Sequence, residues 1–215
     1  MPHVYILSED DFDDQVYAYL VEMLLSVRVD VVPMRLRRGG GIGEVRKKLR
    51  LLLGHIQHVG VQESTFFIVA MDNDRALEHP AHQPRPHGDG TPCRHCGLIA
   101  AIHTGMPDGW PIPGAVAVPV QMIEAWLLLM HDRGLYPEES RLPPFARRDQ
   151  ASAWRLMGPD PPPQLKDLVD AERGVATVLD FALQCVLAIN PEDLAARSPS
   201  FGSFLEQLSG WRADV

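Results

Sequence analysis

A chain of 215 residues, 46% hydrophobic and 22% charged, can bury a full core and has the composition of an ordinary soluble globular protein. No apolar run reaches the ~18 residues that a bilayer-spanning helix needs. Three cysteines (Cys93, Cys96 and Cys185) cannot build a disulfide framework, so a membrane-spanning or disulfide-stapled secreted protein is excluded and a reducing cytoplasm is expected. The net charge of −8 excludes a uniformly basic wrapper of nucleic acid.

The chain enters a strand at once, over Val4 to Leu7, without the basic and apolar regions of a signal peptide. From Asp11 to about Val27, apolar residues recur at helical spacing through Val16, Leu20, Met23 and Leu24. Val29 to Met34 is rich in β-branched residues and reads as a second strand. Gly39-Gly40-Gly41 breaks the chain. A second helix follows from Ile42 to about His58, with Val45, Leu49, Leu52, Leu53 and Ile56 on one face. Phe66 to Met71 is a third strand. This β-α-β-α-β order predicts right-handed crossovers and an α/β fold, a parallel sheet of about four strands flanked by helices.

Between Ala76 and Gly114 the character changes, since seven prolines and six glycines make most of the segment loop, with a short helix around His95 to His103. Ala115 to Val120 resumes as a fourth strand, followed by a helix carrying Ile123, Leu127 and Met130. After Gly134 helices alternate with loops, interrupted by Pro159 and Pro161-Pro162-Pro163. Val175 to Ile189 reads as a buried helix, and Ser198-Pro199 opens a last short amphipathic one. Residues 1–133 therefore form the expected α/β domain, with an insertion at 76–114, and 134–215 a helical extension packed on the same core.

Carboxylates follow two of the strands. Glu9 comes just after Val4-Tyr5-Ile6-Leu7, and Asp72-Asn73-Asp74 ends the run Phe66 to Met71. Buried parallel strands deliver such residues to the carboxyl edge of the sheet, where open α/β folds bind ligands. Acids gathered there repel one another unless a divalent cation sits among them. An Asp-x-Asp at a strand end turns both side chains to one side, and its oxygens suit Mg²⁺ or Mn²⁺. Glu124 stands near the start of the helix after strand four, either beside these acids or as an ordinary first-turn glutamate favoured by the helix dipole.

The motifs Ile6-Leu7-Ser8-Glu9-Asp10 and Val69-Ala70-Met71-Asp72-Asn73-Asp74 resemble the TOPRIM domain of topoisomerases, bacterial primases and OLD-family nucleases. A narrower resemblance, to small standalone TOPRIM-like proteins, adds Val120 to Leu128 around Glu124 and the segment Pro199-Ser200-Phe201, and runs from residue 4 to about 208. It implies a metal-dependent phosphodiesterase, a nuclease of phage defence, in some relatives linked to a partner ATPase. Glu9, Asp72, Asp74 and Glu124 would then be the catalytic, Mg²⁺-binding set. The chain departs from the family at Asp10, where a glycine is usual, and in the acidic helix start Asp11-Phe12-Asp13-Asp14. Asp13 either joins the metal site or complements the helix N-terminus. Tyr5, Tyr17, Tyr19 and Tyr136 have no context that marks a tyrosine nucleophile.

Seven of the twenty Lys and Arg residues lie between Arg35 and Arg50, opposed only by Glu44. This is either a solvated helix face or a salt-sensitive phosphate-backbone contact, for which Arg38, Lys47 and Lys48 are the candidates. Cys93-Arg94-His95-Cys96, with five of the nine histidines nearby, offers thiolates and imidazoles for a structural zinc, or is a reduced thiol pair in a histidine-rich loop. Trp126 and Cys185 read as core. The competing functional class is a non-catalytic TOPRIM scaffold that binds nucleic acid or a partner protein. A nucleotide phosphatase is the third, and Glu9 on the first strand argues against it.

Overall fold

Four apolar runs become four parallel strands in the computed structural model of the chain, which describes residues 1–9, 11–34, 41–59, 65–72, 94–106, 109, 112–119, 123–131, 165–174 and 176–213. The strands are β1 (His3–Leu7), β2 (Asp30–Pro33), β3 (Thr65–Ala70) and β4 (Gly114–Ala117), in the order β2-β1-β3-β4. Val4 lies opposite Val31 on one side and Phe66 on the other, and Ile68 lies opposite Ala115. The helices are α1 (Asp11–Leu25), α2 (Gly41–Val59), α3 (Arg94–Gly105), α4 (Ile123–His131), α5 (Leu165–Arg173), α6 (Val178–Ala188), α7 (Pro191–Arg197) and α8 (Pro199–Ser209), with a 3₁₀ turn at Gly210–Ala213. The expected α/β class, a four-stranded parallel sheet with helices on both faces, is what the chain adopts.

Strand alternation divides the core into two layers. Val4, Ile6, Phe66, Ile68, Ala70, Ala115 and Ala117 face one side, under α1, α4 and the C-terminal helices. Phe67, Val69, Met71, Val116 and Val118 face the other, under α2 and α3. β3 is buried along its whole length because it has a neighbour on each edge and a helix layer on each face. β2, at the edge, is exposed at both ends and closes on Pro33, a residue confined to such positions. α4 is buried from Ile123 to Met130, enclosed between the sheet and the helices that follow it.

Several elements end differently from their sequence reading. α1 stops at Leu25, not Val27, where Ser26 takes a positive φ of 57°. The single helix expected from Val175 to Ile189 begins only at Val178, capped by Thr177, whose side chain accepts from Asp180 N. Before it lies α5, unread in the sequence and ended near Gly174, whose φ of 57° an alanine would resist. α7 was also unread. Asn190 caps it, accepting from Glu192 N and Asp193 N at 3.2 Å each, with Pro191 in its first turn.

The C-terminal helix α8 closes the fold. Ser198 caps it, accepting from Phe201 N at 3.2 Å. Trp126 is fully buried and donates Nε1–H to Ser200 Oγ at 2.8 Å. The Trp126 ring meets Phe201 edge-on at 5.3 Å and Tyr17 at 6.1 Å. At the rim of the sheet Gln207 reaches strand β4, where its Oε1 accepts from Val116 N at 2.9 Å and its Nε2 donates to Val116 O at 3.3 Å.

Candidate active site at the carboxyl edge of the sheet

Strand order fixes where a ligand site belongs. The chain steps from β1 to β2 in one direction, over α1, and from β2 past β1 to β3 and β4 in the other, over α2 and α3. Progress along the sheet therefore reverses between β1 and β3, and open parallel sheets bind ligands beyond the carboxyl ends of the strands at that reversal. Glu9 follows β1 and Asp72 follows β3, so the switch point delivers both residues. Neighbouring strands stand about 4.8 Å apart, which brings the two backbones within a few ångströms. Both side chains are half-buried.

Glu124 reaches the same region from the first turn of α4 and is 8% exposed. Asp13 comes from the first turn of α1 and is half-buried. The convergence is registered by Tyr17, one helical turn after Asp13 and 2% exposed. Its phenol is pushed well above the ordinary tyrosine value, first by burial, then by the charges of Asp13, Asp72, Glu9 and Glu124. Four carboxylates from four separate elements thus act on one hydroxyl. Three of the four sequence candidates, Glu9, Asp72 and Glu124, make their charge felt at Tyr17 together with Asp13. The last candidate, Asp74, lies outside the described residues.

The turn into the site is held by a buried pair. Ser8 is fully buried and donates Oγ–H to Asp14 Oδ1 at 2.6 Å, tying the end of β1 to the first turn of α1. A short bond to a carboxylate is the stronger kind, and the helix N-terminus favours a negative charge at Asp14. Glu9 emerges directly from that anchor. On the β3 side, Arg94 at the start of α3 donates through Nη1 to the backbone carbonyl of Asp72. A cation therefore stands beside the acids and fixes the strand end that carries one of them.

The sequence reading missed Tyr17, Ser8, Asp14 and Arg94. The signal for Tyr17 was its spacing of four from Asp13 on one helix. Arg94 was read only as a spacer between two cysteines.

The acids that act on Tyr17 are all carboxylates, the donor type that a hard divalent cation takes. Among the described residues, no group of three or more His, Cys, Asp or Glu side chains lies close enough together to hold an ion. The zinc candidates are divided. Cys93, His79, His82 and His87 lie outside the described residues, while Cys96 is a half-buried thiol on α3. His95 turns toward α8, with Nε2 3.5 Å from Ser203 Oγ. His103 is exposed two turns beyond Cys96, about 10.5 Å along the helix axis. Of the nucleic-acid candidates, Lys47 is exposed and Lys48 half-buried on α2, and Arg38 lies outside the described residues.

Among the described residues, no helix is long and apolar enough to cross a membrane. Comparison with family models, with curated proteins and with solved structures finds no match to this chain. What the site does is therefore argued from its own geometry and chemistry.

Proposed function

We propose that the chain is a Mg²⁺- or Mn²⁺-dependent phosphodiesterase of TOPRIM type, a nuclease acting in prokaryotic phage defence. The observation that supports this reading is that Glu9 and Asp72 follow adjacent strands at the sheet's switch point, and that their charges, with those of Asp13 and Glu124, all act on the buried Tyr17 hydroxyl. Carboxylates brought together at such a position cost electrostatic energy unless a cation compensates them.

Asp72, Asp74 and Glu124 would hold the ion. When bound it would neutralise phosphate charge and lower the pKa of a water. Glu9, half-buried after β1, would take the proton as water oxygen attacks phosphorus. The bond from phosphorus to the departing ester oxygen breaks, and that oxygen leaves with a proton returned from a carboxylic acid or from solvent. Arg94, bonded to the Asp72 carbonyl, would also offer a positive charge to an incoming phosphate. Tyr17 keeps its proton and presents a dry, neutral floor beneath the acids.

The test is cleavage of mixed DNA and RNA substrates with Mg²⁺ or Mn²⁺, beside the Asp72→Asn and Glu9→Gln variants. Wild type should cleave, and each variant should fall by ~10²-fold or more while keeping its folded circular dichroism. Wild-type cleavage by Asp72→Asn would refute the assignment. A calorimetric titration that shows no Mg²⁺ or Mn²⁺ binding would refute it in favour of the non-catalytic scaffold.

A further inference from the structure

The two helical layers carry opposite charge. Over one face of the sheet, α2 and α3 bring four described cations (Lys47, Lys48, Arg50 and Arg94) against a single acid, Glu44. Over the other face, α1 and α4 to α8 bring eleven acids against Arg173 and Arg197 among the residues whose side chains are described. Among the described helices, the layer of α2 and α3 is thus the one with an excess of cations.

That side is also grooved. An open cleft of about 220 Å³ runs between α2 and α3, lined by Arg50, Gly97, Ala100, Ala101 and Thr104. Its α3 wall is built of small side chains, and α3 contains no acid. Arg50 is exposed at the cleft, and Lys47, also exposed, stands one turn earlier on α2. Toward the carboxyl edge, α3 leads back to Arg94, three residues and about 4.5 Å along the axis from Gly97. There Arg94 is bonded to the carbonyl of Asp72. Cations therefore stand at the cleft, in Arg50, and at the start of α3 beside Asp72, in Arg94.

We propose that the α2–α3 cleft is the backbone track for a nucleic-acid strand, whose phosphates rest on Lys47, Arg50 and Arg94 and whose scissile bond is led to Glu9 and Asp72. This rests on the nuclease reading and supplies its substrate path. A guanidinium fork matches phosphate oxygens, and a wall of glycine and alanine lets a sugar-phosphate chain lie close to the helix. The acidic layer opposite repels a polyanion, so approach is steered to the grooved side.

The experiment measures anisotropy of a fluorescein-labelled single-stranded oligodeoxynucleotide with the full-length protein, in EDTA across a series of salt concentrations. Wild type should bind with a steep salt dependence. Lys47→Glu with Arg50→Glu should weaken binding by about tenfold or more at low salt and flatten the log–log salt slope by roughly 1.4, the share of two single-strand phosphate contacts. Ala100→Glu, which adds an acid at an exposed cleft position, should weaken it too. Arg28→Glu alters charge outside the cleft, at a side chain 84% exposed, and should leave binding unchanged. Absence of wild-type binding, or equal losses in Arg28→Glu and the cleft variants, would overturn the track. No metal or cleavage enters this assay, so its failure is separate from that of the nuclease, which the metal titration and the Asp72→Asn comparison decide.

Discussion

Replacing Ser200 with alanine isolates one bond between α4 and α8. The Trp126 indole is fully buried and its Nε1–H is donated to Ser200 Oγ at 2.8 Å, with Ser200 itself 6% exposed. The substitution barely changes shape but removes the acceptor. A buried donor deprived of its partner costs ~1–3 kcal/mol. For a chain of this size each kcal/mol moves the melting midpoint by roughly 2–4 °C, so Ser200→Ala should melt lower by about 2–12 °C. Trp126→Phe removes the donor together with ring area that packs on Tyr17, Phe201 and Phe204, and should cost more. In the double variant the Ser200→Ala penalty should shrink to the share of its 3.4 Å contact with Ser198 Oγ, leaving a coupling energy of ~1–3 kcal/mol. Thermal and urea melts followed by far-ultraviolet circular dichroism provide all four corners of the cycle. A Ser200→Ala penalty that persists undiminished in the Trp126→Phe background would refute the reasoning. The bond bears on the site as well, since Glu124 lies two residues before Trp126 on the same helix.

Ser8→Ala should destabilise the fold by ~1–3 kcal/mol, because the buried Asp14 carboxylate loses the hydroxyl at 2.6 Å; an unchanged urea midpoint would count against that anchor. Gly114→Ala would place a methyl against the fully buried Phe67 ring, and overpacking of this kind costs ~1–3 kcal/mol. A compensating Phe67→Leu change should recover part of the loss, measured by the same melts. Tyr17 titrates with a defined sign: its folded pKa is raised, so the folded chain keeps a proton that the unfolded chain releases above about pH 10. The stability it confers is complete below that pH and is lost as pH rises above it. Urea midpoints of wild type should therefore fall more steeply than those of Tyr17→Phe on going from about pH 9 to pH 11; parallel slopes would contradict the burial and charge assigned to the phenol.

The central strands were legible because their pattern is unusually clean. β1 and β3 are continuous apolar runs that end in carboxylates, a pattern that strands buried on both faces produce. The positions of Glu9 and Asp72 could be read for the same reason. Boundaries were harder where local chemistry overrides periodicity: Ser26 ends α1 early, and Gly174 separates two helices that share an apolar rhythm. α7 announced itself through Asn190-Pro191 with two acids behind, a capping signal that apolar counting passes over. Tyr17 and Arg94 were illegible in a stronger sense, because each acquires its role only when distant segments meet. The opposition of charge between the two helical layers is likewise hidden until the topology assigns each helix to a face.

The Gln207 amide bonds to both backbone groups of Val116 on β4. In doing so it imitates the main chain of a fifth strand at that residue, while being carried on a helix. An open strand edge is a template on which another chain can pair, and the usual outcomes are runaway assembly or strand exchange between copies. Here a side-chain amide satisfies the register at Val116 and ends it there, so no successor strand is templated at that position. Gln207→Leu would strip that partner from both groups of a residue that is 1% exposed, and so reopen the register at Val116.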